Sequence, residues 1–363
     1  MGDSVRTQAA AHLSVRLRRR ASLLLAALAV TGCGETEGIT GGGSIIGETL
    51  TVYSLLPTPD RGAARDVVDG ERLALARARG RAGAFKVNFA SLDSTRGETG
   101  DELAGAVAGA TRQAIADAQI VAALSDLDAS TARTSIPLFN AAGILHVSPG
   151  VTYPGFTMAG IEPGEPERWY PSGRRNFFSV APDDVTQARA LAGSLTGNVL
   201  VEQEESPAGS AFGEALRSAL GPGRLVGAAG SARSAVYAGS DPESARGVIE
   251  SLLEENPRLR IHVPAALAGS DLLQEPGVSA ITGQRAPTPA FKRAFRKAFG
   301  REPRPEALAG YAAMRAVLGA ITRAGARAKN RQAVIEAFAR TERPADGLFL
   351  LTRRGTSLVT EPL

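Results

Sequence analysis

Residues 119–157 restrict this chain to very few folds. Residues 120–124 (I-V-A-A-L) form an apolar run too short for a helix, residues 130–142 have helical length, and residues 144–147 are apolar again. That order predicts strand, helix, strand: a βαβ unit with two parallel strands. Each strand runs into a loop of small and hydroxyl residues, S-D-L-D-A-S-T after the first and S-P-G-V-T after the second. In open parallel sheets such loops lie at the carboxyl ends of the strands, where ligands bind.

The same alternation extends in both directions. Residues 49–55 and 85–92 read as strands and residues 63–79 as a helix, with Ala64, Val68 and Leu75 on one side and Arg65, Arg72 and Arg79 facing water. Leu103, Val107, Ala110 and Ala114 recur at helical spacing and make the next amphipathic face. After a segment dense in Pro, Gly and charge at 160–175 and a strand-like bridge at 177–180, a second series begins. It has helices at 184–195, 210–220 and 242–255 and apolar runs at 198–201, 225–229, 261–264 and 278–282. Three helices follow at 288–299, 305–324 and 331–340, and residues 348–352 and 357–360 read as a closing hairpin. Strands and helices alternating in this way imply α/β architecture with parallel sheets. With 363 residues, 44% of them hydrophobic, two cores of ordinary size can be filled.

The net charge of +4 is all in the leader, because residues 1–32 hold five arginines and one aspartate and the remainder is balanced. A neutral body without a basic block gives no footprint for nucleic acid. Arginines at 16, 18, 19 and 20 precede a ten-residue apolar stretch at 21–30, about half the roughly 20 residues that span a bilayer. It reads as an export signal. Val30-Thr31-Gly32-Cys33 is similar to the lipobox of bacterial lipoproteins, in which the leader is cut before a cysteine that is then acylated. Cys33 is also the chain's only cysteine, so no intramolecular disulfide can form. The alternatives are an ordinary signal peptide and, from Arg18-Arg19, twin-arginine export, whose pattern the following residues fit poorly. Residues 34–47, rich in Gly, Thr, Ser and Glu, then serve as a flexible tether.

Catalytic constellations are missing from the sequence. His12, His146 and His262 with one cysteine give no metal-ligand cluster, and there is no G-x-S-x-G elbow, phosphate loop or G-x-G-x-x-G fingerprint. The chain reads as a non-enzyme without a cofactor or metal. His146 is expected in the core, Asp126 and Asp128 as solvated loop acids, and Trp169-Tyr170 in local packing.

Six short motifs in order carry a resemblance: D-S-T at 93–95, S-I-P-L-F-N-A-A-G-I at 135–144, V-S-P at 147–149, Y-P-G-F-T at 153–157, R-N-F-F at 175–178 and G-Y-A-A-M at 310–314. Together they resemble extracellular solute-binding proteins of the type I periplasmic-binding fold, in the leucine/isoleucine/valine branch that serves ATP-driven (ABC) importers. The resemblance implies two Rossmann-like lobes with parallel sheets, joined by three hinge crossovers near 176–182, 283–287 and 345–349. It implies signal and lipobox at 1–33, tether at 34–47, first lobe at 48–178, second lobe at 179–285, helices returning to the first lobe at 286–344, and a hairpin on the second lobe at 345–363.

In such proteins the first lobe holds the ligand carboxylate through the loops that correspond here to 126–131 and 148–152. The expected contacts are Ser130, Thr131, Ser148, Gly150, Thr152 and Tyr153. Ser130 and Thr131 precede a helix, so free backbone N–H groups and a hydroxyl would converge on an anion, and Gly150 lets a ligand approach the backbone. The chain departs from the family at three places. Ala129 stands at the family serine, Ala208 near the family tyrosine of the second lobe, and no residue matches its ammonium-binding acid. Residues 255–285 also leave little room for the usual strand and helix units, so the second lobe is expected to be reduced. The leader and the resemblance together imply an exported, monomeric lipoprotein anchored through Cys33 outside the cell membrane or in the periplasm. It would pass a small polar metabolite, an amino acid or related carboxylate or amide, to ABC permease subunits; the alternative is a sensor or scaffold that kept the fold and lost transport.

Overall fold

The computed structural model describes residues 44–57, 62–341, 347–355 and 357–363. Cys33, the leader and most of the tether lie outside them. The first sheet is laid down by β1 (Thr49–Leu56), α1 (Gly62–Arg77), β2 (Arg81–Ala82), β3 (Phe85–Asp93), α2 (Gly100–Ile115), β4 (Ile120–Ser125), α3 (Ala129–Ala141), β5 (Leu145–Ser148) and β6 (Phe177–Ser179). The second comes from α4 (Asp184–Ser194), β7 (Val199–Gln203), α5 (Pro207–Leu220), β8 (Leu225–Val226), β9 (Ser234–Ala238), α6 (Pro242–Glu255), β10 (Arg260–Val263) and β11 (Val278–Thr282). Then α7 (Pro289–Phe299), α8 (Glu306–Ala324) and α9 (Arg331–Ala339) lead to the hairpin β12 (Phe349–Arg354) and β13 (Ser357–Pro362).

Strand order shows that the two halves are built alike. The first sheet runs β2-β3-β1-β4-β5-β6 and the second β13-β12-β11-β10-β9-β7-β8. In both, five parallel strands keep the order second, first, third, fourth, fifth, so each half has a switch point beside its first strand. Antiparallel strands close one edge of each sheet: β2 on β3, and β12 with β13 on β11. The sheets are therefore mixed at their edges. The helices α8 and α9 return to the first sheet, where Met314, Val317, Ile321, Val334 and Phe338 share a core with Leu50, Val52, Val121 and Val147. On that sheet's other face Ala110 and Ala114 of α2 pack with Phe139 of α3.

The second lobe corrects the sequence reading in detail. Its sheet is wide, with seven strands. The economy is in the crossover between β10 and β11, where two 3₁₀ turns (Ala265–Leu267 and Asp271–Gln274) stand in place of a helix. The central strand β9 is not evident in the sequence. Its S-A-V-Y-A is fully buried, but Ser and Ala carry little intrinsic strand preference, so burial in the sheet decides the conformation.

Helix α1 contradicts a simple amphipathic reading. Besides Ala64, Val67 and Val68 it buries Asp66, Asp69 and Glu71. Arg301 reaches Asp66 Oδ1 at 2.9 Å and Asp69 Oδ2 at 2.7 Å, and the Arg304 N–H donates to Asp66 at 2.9 Å. The far side of α1 faces α8 so closely that a Cβ on Gly70 would lie 2.0 Å from the Ala307 carbonyl oxygen and one on Gly310 2.1 Å from that of Val67. Two glycines thus let the helix backbones touch, and this contact fixes the positions of Ala63, Val67, Glu306 and Ala309.

Candidate functional site

Beyond the carboxyl ends of both sheets lies a cleft with a cavity of about 150 Å³. The first lobe supplies Ala63 and Val67 from α1, Leu127 after β4, Gly150 after β5, and Glu306 and Ala309 from α8. The second lobe faces them with Ala265, Ala266, Ala268 and Gly269 after β10, and Pro182 and Gly283 come from two of the crossovers. Small side chains make most of this wall. Three lining residues have polar side chains, Thr282, Gln284 and Glu306, and the Thr282 hydroxyl already accepts from the Gln284 N–H at 3.1 Å. The Ala265 loop is held by Gln187, whose Oε1 accepts the Ala265 N–H at 2.8 Å while its Nε2 donates to the Pro182 carbonyl at 2.8 Å.

The residues expected to cradle a carboxylate are separated. Gly150 lines this cleft; Thr152 and Tyr153 line a second cavity of about 450 Å³ behind the crossover, with Phe177, Asp183 and Leu348. Ser130, Thr131 and Ser148 line neither. The helix N–H groups expected to be free are occupied. Asp128 caps α3, accepting from the N–H groups of Ser130 at 2.9 Å and Thr131 at 3.0 Å, and from the Ser130 hydroxyl at 2.5 Å. Ser148 Oγ accepts from the N–H groups of Gly150 at 3.1 Å and Val151 at 2.8 Å and donates to the Asp126 carbonyl at 2.8 Å. An aspartate of the chain itself therefore stands where a ligand anion would bind a helix terminus. We expect Asp128→Ala to lower stability by about 1 kcal/mol in urea denaturation, the usual worth of an N-cap; no loss would mean that the cap is not made.

Other polar groups are structural. Asp126, expected in solvent, is buried, at φ +68°. Its Oδ2 lies 2.9 Å from His146 Nε2 and accepts from the hydroxyls of Ser125 at 2.9 Å and Ser135 at 2.6 Å. His146 sits in the core between Phe139 and Phe177, so this knot ties β4, α3 and β5 together out of reach of solvent. Tyr153 donates to Glu165 Oε2 at 2.8 Å, and burial raises its phenol's pKa. Tyr170 donates to the Phe156 carbonyl and Trp169 Nε1 to Glu165, in the same cluster of side chains. Ala208 packs against that cluster from the second lobe.

Two acids could not have been singled out from sequence spacing. Glu306 lies in the cleft wall, where burial raises its carboxyl's pKa and its Oε2 has neither exposure nor a hydrogen-bond partner. Asp184 is buried at the crossover. Its N–H donates to the Thr152 carbonyl at 2.9 Å, and burial pushes its carboxyl up to about 8, opposed by the Thr152 side chain. Among the described residues no group of three His, Cys, Asp or Glu side chains could hold a metal ion.

No family model and no curated protein matches the chain. Solved structures do match. An ABC transporter substrate-binding protein from Desulfitobacterium hafniense, in complex with Leu, gives a TM-score of 0.68 at 13% identity over 86% of this chain and 100% of that one. The branched-chain amino acid transporter substrate-binding protein LivJ from Streptococcus pneumoniae, in complex with isoleucine, gives 0.65 at 14% over 87% and 99%. A solute-binding protein of an ABC transporter from R. palustris, in complex with benzoate, gives 0.64 at 16% over 87% and 96%. At these identities the likeness defines the fold, which is the type I periplasmic-binding fold.

Proposed function

We propose that the chain is a non-enzymatic solute-binding protein that closes its two lobes on a small polar molecule and delivers it to the permease of an ABC importer. The observation that carries this reading is the cleft itself. Strand ends from two similarly ordered sheets and two of the crossovers contribute to one cavity, so a molecule held there touches both lobes and favours the arrangement in which they meet. The solved structures of this fold that hold Leu, isoleucine or benzoate support it. Export and attachment through Cys33 are part of the proposal and rest on the leader, which is outside the described residues. No helix among the described residues is long and apolar enough to cross a membrane.

Screening amino acids, amides, amines and aromatic acids by thermal shift tests the proposal. A true ligand at 100 times its Kd stabilises by about 2.7 kcal/mol, and X-ray scattering should show the lobes drawing together. The second reading, a scaffold or sensor that no longer transports, is favoured by one observation: the N–H groups of Ser130, Thr131 and Gly150, expected to meet a ligand, are satisfied within the chain. An empty screen with unchanged scattering would select it.

A further inference from the structure

We infer that Glu306 makes the cleft a receptor for a small organic cation, a primary amine or a comparable N–H donor, in place of a carboxylate. The inference rests on the solute-binding reading above and names its ligand class. Among the described residues that line the cavity Glu306 is the one with an ionisable side chain, and no Lys, Arg or His is present to receive an anion. Its Oε2 is buried without a partner. It also faces the second lobe directly, since a Cβ on Gly269 would lie 2.9 Å from Glu306 Oε1 and 3.7 Å from Ala63 Cβ. A group bonded to this carboxylate is therefore within reach of both walls.

The donor side of the cleft argues the same way. An anion needs several N–H or O–H groups, but Ser148 takes the N–H of Gly150, and the neutral side-chain donors among the described lining residues are those of Thr282 and Gln284. An unpaired buried acceptor is costly, and a charged donor removes that cost while a carboxylate adds to it. The remaining wall is small and apolar, suited to a short alkyl chain. A cavity of about 150 Å³ is the size that accepts benzene, about six non-hydrogen atoms. Larger ligands would require the lobes to part.

The test is a ligand-observed NMR titration of the full chain with butylamine, butanol and butanoate, which share a chain and differ in the head group. Butylamine should bind tightest and butanoate least. Glu306→Gln, which keeps the shape and removes the charge, should weaken butylamine by about tenfold to a hundredfold, the worth of a hydrogen bond to a charged group. Gly269→Val, whose Cβ would press on Glu306 Oε1 at 2.9 Å and push the carboxylate from its place, should weaken it comparably and keeps the test alive if the first variant folds poorly. Butylamine binding unchanged in both variants overturns the inference. Preference for butanoate, benzoate or leucine also overturns it, while leaving the solute-binding reading intact. Failure of every probe in this titration and in the thermal screen, without compaction, overturns both.

Discussion

Gly310→Val should lower the unfolding free energy by about 3 kcal/mol or more, at the upper end of what overpacking costs. The added Cβ would meet the Val67 carbonyl oxygen at 2.1 Å and its Cα at 2.9 Å, and these are backbone atoms of a helix, which cannot swing aside as a side chain can. Gly310→Ala should still cost about 1 kcal/mol or more, even though alanine is the better helix former. Gly105 is the control. It lies inside α2 with nothing within 4 Å of a Cβ, so Gly105→Ala should gain about 0.5 to 1 kcal/mol. Urea denaturation of the three variants reads opposite signs for the same kind of substitution, and a Gly310→Val chain as stable as its parent would refute the close α1–α8 contact. The effect reaches the cleft too, because Ala63 and Val67 on α1 and Glu306 and Ala309 on α8 take their places from that contact.

Glu71 should contribute a fall in stability as pH rises from about 4.5 to about 8. Glu71 is fully buried and neither carboxyl oxygen has a partner. Burial pushes its carboxyl up to about 8, with Ser54 and Arg72 opposing. The Ser54 oxygen is itself buried and without a hydrogen-bond partner. The folded state keeps this proton over a range in which the unfolded state has lost it. The stabilising proton is thus fully effective below the unfolded value of 4.5, and its contribution is lost as pH climbs towards the folded one. At about 1.4 kcal/mol per pH unit the total has an upper bound of about 5 kcal/mol. Asp184, also pushed up to about 8, acts with the same sign. Glu71→Met keeps the bulk and helix preference, so it should remove one group's share of the slope and raise stability at pH 8 by about 3 kcal/mol. Denaturation at pH 4.5, 6 and 8 measures it; parallel profiles for parent and variant would mean that Glu71 ionises freely in the fold.

The alternation of strands and helices, the βαβ unit at 119–157, the three helices near the end and the closing hairpin were all legible in the order of residues. Each of these depends on local periodicity and chain punctuation, which a linear chain records directly. Partnership was not legible there, because it arises when distant segments meet. Asp128 is an exposed acid, as its loop setting implies, but its carboxylate takes the N–H groups of α3 expected for a ligand; Asp126 looks solvated until His146 and Ser135 close around it. Strand β9 is a strand because its neighbours bury it. Gly310 is an ordinary position of α8 until α1 crosses it. Glu306 likewise acquires meaning only where α8, α1 and the loop after β10 meet, since a buried charge is defined by what surrounds it and those surroundings come from residues more than two hundred positions apart along the chain.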